Sequence, residues 1–275
     1  GTDSDAYGIE LDDVGDSDVR NVGTDATINL HAELSNEGAL LVAATSSAEA
    51  LGASGDARGE DAQAYGFELD DINDSLDIDV IGEGASVTVS GELINTGALT
   101  VTAMAAGSTS GVDGNANGED ADAYGFELND IGDVDIDTVG ESASISVVSV
   151  LNNSGDVSVD ALAAASATGE SGDAEGEYAE AYGFELDGIG DSDINGEDGV
   201  GAGSTVNLRS HLVNSGALTV TAAATGEATG AFGDASGEDA DAYGFQLDEI
   251  NSGLSISRVG EGASVTVSSE LINTG

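Results

Sequence analysis

The chain has no proline, cysteine, tryptophan or lysine, only one methionine and two histidines, and aromatic residues make up just 4 % of its 275 positions. Without cysteine there is no disulfide, no thiol nucleophile and no thiolate metal site. Four arginines stand against 54 acidic residues, for a net charge of -50. Such a surface repels nucleic acid and anionic lipid instead of binding them. No apolar run is long enough to span a membrane, and no charged-then-apolar leader opens the chain. Yet 40 % of the residues are apolar, too many for a disordered acidic tail. A core built from Val, Ile, Leu and Ala, with few aromatics, is expected to be thin and repetitive.

What the sequence does contain is repetition. The element Ala-Tyr-Gly-Phe-Glu-Leu recurs five times with small changes, with tyrosines at Tyr7, Tyr65, Tyr124, Tyr182 and Tyr243. The units run 6–63, 64–122, 123–180, 181–241 and an incomplete 242–275, forming one array. Neither end carries the atypical polar unit that caps repeat arrays, so the sequence reads as an excerpt of a longer one.

Each unit has three parts. The first is a tyrosine strand such as Tyr65-Gly-Phe67-Glu-Leu69, whose apolar positions alternate with Gly66 and Glu68 at the period of two that a strand requires. On that period Tyr65 shares the face of Phe67 and Leu69. Its ring should cover the core while its hydroxyl finds a partner at a corner. A short acidic strand follows. The second part is strand, turn and strand, with an Asn-x-Gly turn in every unit: Asn36/Gly38, Asn95/Gly97, Asn153/Gly155, Asn214/Gly216 and Asn273/Gly275. Because Asn tolerates the left-handed conformation and Gly adopts it freely, a left-handed bend is expected there. The third part is rich in Gly, Asp and Ala and should be a thin edge or an exposed loop.

No segment shows helical periodicity that a strand does not explain better, so the expected class is all-β. A parallel β-solenoid is favoured over a string of hairpin modules. At about 20 residues per coil, each unit would supply about three coils and the chain would span roughly 65 Å, with about 0.8 negative charges per Å. Duplex DNA carries one per about 1.7 Å.

The segments Leu93-Ile-Asn95-Thr-Gly97-Ala-Leu99-Thr-Val101-Thr and Leu212-Val-Asn214-Ser-Gly216-Ala-Leu218-Thr-Val220-Thr resemble the Leu-x-Asn-x-Gly-x-Leu/Ile elements of filamentous haemagglutinin and autotransporter passenger regions. The Gly-Asp-Ala-x-Gly-Glu-Asp-Ala-x-Ala-Tyr-Gly stretches are loosely similar to coils of trimeric autotransporter heads. The resemblance implies a parallel β-solenoid exported to a cell surface, where such proteins serve as stalks and adhesins. The 59-residue period and the acidity depart from that pattern.

Carboxylates at this density repel one another unless a cation or a proton intervenes. One reading is a solvated, salt-adapted surface; the other is Ca²⁺ bound between stacked acids. Two constellations are candidates for calcium. Asp191-Ser-Asp193-Ile-Asn195-Gly196 has the alternating oxygens and terminal Gly of a calcium loop, but Ala202 stands where a bidentate Glu would be expected. Arg20 replaces one of its positions in the first unit, which favours solvent-facing strand acids. The second constellation comprises Asp56/Glu60/Asp61, Asn115/Glu119/Asp120, Asp173/Glu177 and Asp234/Glu238/Asp239. Flanking glycines there would let the backbone turn and offer carbonyl oxygens.

An enzyme is not expected, because near-identical units provide no single specialised site. His31 and His211 occupy different places in their units, opposite Ser90 and Glu92 of the second. The threonine pairs Thr100/Thr102 and Thr219/Thr221 are interrupted by Leu41 and Ala43, and by Ser158 and Asp160, so they form no regular array. The sequence therefore points to a non-enzymatic, extracellular shaft that associates with cations and with its own kind along the axis. A calcium- or glycan-binding surface module is the alternative, and a polysaccharide-active β-helix a distant one. Contact with a host surface would lie in regions outside this chain.

Overall fold

The computed structural model describes residues 3–15, 17–73, 76–190, 192–194, 199–251 and 255–275. Among these there is no helix, and every pairing between strands is parallel. The strands fall into five sheets: two take a strand from every unit, the alanine and glycine sheets take one from each of the first four, and the acidic sheet takes strands from the second to the fifth.

The tyrosine sheet consists of Ser4–Val14, Ala62–Ile72, Ala121–Ile131, Ala179–Ile189 and Ala240–Ile250, in chain order. Its register joins like to like: Tyr7 to Tyr65, Tyr65 to Tyr124, Tyr124 to Tyr182 and Tyr182 to Tyr243. The same holds in the sheet of Thr27–Asn36, Ser86–Asn95, Ser144–Asn153, Thr205–Asn214 and Ser264–Asn273. It holds again in the alanine sheet of Leu40–Leu51, Leu99–Ser110, Val157–Thr168 and Leu218–Thr229. An acidic sheet includes Leu76–Ile81 and Val134–Val139, and a glycine sheet is made of three-residue strands such as Ala116–Gly118.

This register overturns the expectation of three coils per unit. Neighbouring strands carry residues one whole unit apart in sequence, so a unit makes one layer. At about 4.8 Å per strand the five layers rise only about 19–24 Å, and the line density of charge becomes about two per Å, more than three times that of duplex DNA.

Two apolar cores fill each layer. The larger lies between the tyrosine and alanine sheets and holds Phe67, Leu69, Leu99, Val101 and their counterparts in other layers. The smaller lies between the acidic sheet and the sheet ending in Asn, around Ile78, Ile81, Val87 and Val89. A strand such as Ser86–Asn95 serves both, turning Val87 and Val89 to one core and Leu93 to the other. Phe67, Phe126, Phe184 and Phe245 stack with ring centroids 4.7–4.8 Å apart. At the far edge the glycine sheet folds so close to the alanine sheet that a Cβ on Gly59 would collide with the backbone of Ala106. This is the thin edge expected from the third part of each unit.

Two corners differ from expectation. The Asn-x-Gly residues do not adopt the left-handed conformation. Gly97 is required for another reason: a Cβ there would collide with the carbonyl oxygen of Gly38 in the layer below, and Gly155 stands in the same relation to Gly97. The asparagine is required for its side chain. Asn95 Nδ2 donates to Gly97 O at 2.9 Å, closing the turn, and to Asn153 Oδ1 at 2.6 Å in the next layer. The same amide column runs from Asn36 through Asn214 to Asn273, and Asn95, Asn153 and Asn214 are fully buried. Left-handed corners lie instead where the tyrosine strand ends, at Gly15, Asn73, Gly132, Gly190 and Asn251, with φ between 53° and 96°, and just before the sheet ending in Asn, at Asp25, Gly84, Ser142, Gly203 and Gly262, with φ between 56° and 73°. Gly and Asn fill the first of these corners because they accept that conformation at least cost.

Candidate functional site

The stacking turns every recurring acid of a unit into a column running up the molecule. Asp56, Asn115, Asp173 and Asp234 form one such column, with a structural use for its side chains. The Asn115 N–H donates to Asp56 Oδ1 at 2.9 Å, Asp173 N–H to Asn115 Oδ1 at 3.2 Å, and Asp234 N–H to Asp173 Oδ1 at 3.0 Å. Each oxygen closes the loop of the layer above it.

Glu60, Glu119, Glu177 and Glu238 follow the glycine strands and recur in every layer. Here a residue one layer below supplies the partner. Arg58 pairs with the buried Glu119, and the Asn117 amide bonds Glu177. In the next step Glu175 meets Glu238, and the bond between two carboxyls pushes the Glu175 titration up. Arg58, Asn117 and Glu175 thus stand at equivalent places in successive layers. Beside them Asp61 raises the titration of Asp120, whose first cause is burial; Tyr178 and Asp239 continue that column.

Asp193 lies on the extended Ser192–Ile194 strand, in register with Asp135, which is in turn in register with Asp77. Asp191 and Asn195, its proposed partners in a calcium loop, lie outside the described residues. Asp193 itself, the one described residue of that set, stands in a strand column. From the first layer Arg20 pairs with this face, with Asp18 of its own layer at 3.0 Å and with Asp77 and Asp79 of the next at 3.3 Å and 3.7 Å. Among the described residues no three His, Cys, Asp or Glu converge as metal ligands.

The tyrosines occupy a different place from the one expected. Alternation breaks at Gly66-Phe67, so Phe67 and Leu69 face inward with Ala62 and Ala64, whereas Tyr65 is turned outward with Gln63 and Glu68. The five rings form a stack with centroids 4.8–5.1 Å apart. Their hydroxyls do find partners: Tyr65 donates to Gln63 Oε1 at 3.3 Å and Tyr182 to Glu180 Oε2 at 2.9 Å.

Beside the rings runs a carboxylate column that the sequence reading did not single out: Glu10, Glu68, Glu127 and Glu185, ending in Gln246. Burial, then Glu185 and Glu68, lifts the Glu127 carboxyl to about 7. Burial also raises Glu68 and Glu185. Glu68 Oε2 and Glu127 Oε2 are both sealed from solvent with no hydrogen-bond partner among the described residues. Gln246 relieves the column at its end, its Nε2 donating to Glu185 Oε1 at 3.3 Å. On the other side of the rings, burial raises Asp122 to about 6 despite a hydrogen bond from Gln63. The signal was present in the repeated motif itself, but became meaningful only once a unit was known to be a single layer.

A polar groove of about 510 Å³ opens at the loop column and is lined by Ser54, Asp56, Asn115, Ser171, Asp173 and Phe232. Phe232 is 77 % exposed and replaces the Ser54, Asp113 and Ser171 of the other layers. The histidines are separated as expected, His31 opposite Ser90 and His211 in the column of Glu92. Comparison of the chain with family models, curated proteins and solved structures finds no significant match.

Proposed function

We propose that the chain is a parallel β-solenoid, one coil per unit, and that it serves as the non-enzymatic shaft of an extracellular surface fibre or adhesin. The observation that carries this reading is the register: equivalent residues stack in every sheet, so the chemistry is distributed along the axis instead of concentrated in one unit. A rod of this kind positions whatever lies at its ends. Its carboxylate columns gather mobile cations, including Ca²⁺, and keep it from adhering sideways to nucleic acid or anionic membranes.

The test is dimensional. Chains of three, four, five and six units should scatter as particles of constant cross-section whose length grows by about 5 Å per unit. Growth of about 14 Å per unit, or a widening cross-section, would defeat the single-coil solenoid. The second reading, a glycan-binding module, is favoured by one feature, the exposed Phe232 beside Asp173, Asn115 and Ser171. Sugar binding that vanishes in Phe232→Ser would support it.

A further inference from the structure

The outer face of the alanine sheet is chemically unlike the other long faces of the stack. Along Leu99–Ser110 the side chains of Leu99, Val101, Ala103 and Ala105 turn into the larger core, and every second residue from Thr100 to Ser110 turns outward. The register repeats those outward positions as columns through all four strands. Only Glu49, Asp160 and Glu227 are charged among their members, on a chain with 54 acids; the outer face of the tyrosine sheet, by contrast, carries whole columns of carboxylates. The centre of the face is apolar. Met104 and Leu162 stand together as a ridge, half-buried by their neighbours. At the next outward position Ala106, Ala164 and Thr225 floor a groove of about 620 Å³. The glycine sheet lies against the opposite, inward side, where a Cβ on Gly107 would meet Asn117.

We propose that this face pairs with the same face of a second copy of the chain, so that two rods lie side by side and point the same way; the proposal rests on the stacked-unit reading. Area and charge select this occupant. Four strands of 12 residues, at about 3.3 Å per residue and about 4.8 Å per strand, present roughly 750 Å². A stable complex takes about 800 Å² from each partner. On a chain of charge -50, two copies meet with least repulsion where acids are fewest.

The columns set the orientation. A two-fold axis parallel to the stack, passing between the Met104 and Ala106 columns, turns the ridge of each copy into the groove of the other, with Met104 over Ala106 and Leu162 over Ala164. The same operation sets the Thr100 column against the Ser110 column, and neither contains a charge. It also places Asp160 opposite Ser166, Glu227 opposite Thr221 and Glu49 opposite Ala43. No acid then faces an acid, and two of the three face a hydroxyl that can donate to them. An axis parallel to the strands would instead oppose Glu49 to Glu227.

The test is sedimentation equilibrium of the 275-residue chain in about 0.3 M salt, where residual repulsion is screened. A reversible monomer–dimer equilibrium is expected. Dimerisation should weaken at least tenfold in Leu162→Glu, which puts a carboxylate at the centre of the interface. It should be unchanged in Ser146→Glu, which adds the same charge to the outer face of a different sheet. Because the chain has no cysteine, cross-linking reads the orientation. Chains carrying Thr102→Cys and chains carrying Ser108→Cys should join on oxidation when mixed, and neither should join alone, since like columns lie about 20 Å apart across the interface. A chain that stays monomeric, or a dimer indifferent to Leu162→Glu, overturns the proposal, and a Thr102→Cys homodisulfide overturns the axis. Retention of a monomeric chain on insoluble polysaccharide, lost in Leu162→Glu, would give the face to a glycan instead. If length grows by one strand spacing per unit and the chain is still monomeric, the lateral pairing alone is wrong; if the increment fails, the stack is.

Discussion

Replacing Glu127 by Gln should stabilise the protein at pH 8 and leave it almost unchanged below about pH 4. The carboxyl sits in a column between Glu68 and Glu185, with one oxygen sealed and unpartnered among the described residues. Burial and those neighbours lift its titration from 4.5 to about 7. A folded-state value above the unfolded one means that the native protein binds the extra proton. Stability is therefore complete below the unfolded value and is lost as pH rises through the folded one, between about pH 4.5 and 7. Taken at face value, the shift corresponds to about 3 kcal/mol; because the group is partly open to water, about 1–2 kcal/mol is the reasonable expectation. Glutamine cannot ionise, and Gln246 already occupies the equivalent place in the fifth unit, donating to Glu185. The assay is thermal or denaturant unfolding of both proteins across pH 3.5–8.5 at fixed low salt. A gain at pH 8 of a few degrees in Tm, shrinking through pH 5 and vanishing below about pH 4, is expected. An equal gain at both pH values would assign the effect to packing, and a loss at pH 8 would refute the repulsive column.

Gly97→Ala should destabilise by on the order of 1–3 kcal/mol because its methyl meets a backbone carbonyl, whereas Gly38→Ala, with no layer beneath it, should be almost neutral; matched melting curves of the pair distinguish close approach from a generic turn preference. Asn153→Ala should cost at least as much as Gly97→Ala. It removes two bonds that Asn153 donates and one that it accepts from Asn95, and it leaves buried polar groups unsatisfied at about 1–3 kcal/mol each; chemical denaturation would show this. Lowering ionic strength to 0.01 M, where screening reaches about 30 Å, should lower the Tm. If Tm in chelator with high NaCl equals that in millimolar Ca²⁺, the Asp56, Glu60 and Asp61 columns are screened surface acids; if Ca²⁺ protects where NaCl does not, they bind it specifically.

The strand class was legible because it depends on residues within one unit. Period-two alternation in Val87-Thr-Val89 and the recurring Tyr-Gly-Phe-Glu-Leu needed no three-dimensional information. The rise per unit was not legible, since it depends on which residues pair across units, and a generic coil length gave three times the correct value. The same error hid the glutamate column: Glu68 and Glu127 look like isolated strand acids until they are placed one strand apart. The face of Tyr65 was misassigned because Gly66 breaks the alternation, a local event that a fixed period cannot register. The Asn-x-Gly corner was correctly located for the wrong reason. Its glycine answers to a neighbouring layer, and the conformational demand lies at Asn73 and its equivalents. Of the calcium-loop spacing at Asp191–Asn195, only Asp193 lies among the described acids, in a strand.

The amide column at the Asn-x-Gly corner also gives the molecule a direction. Every link has the same sense: the nitrogen of one asparagine donates to the oxygen of the next, from Asn36 to Asn273. The side-chain dipoles therefore add instead of cancelling, and each polarises its neighbour. Because every link has this sense, a stack of such units carries a distinguishable front and rear at this corner, set by the repeat itself.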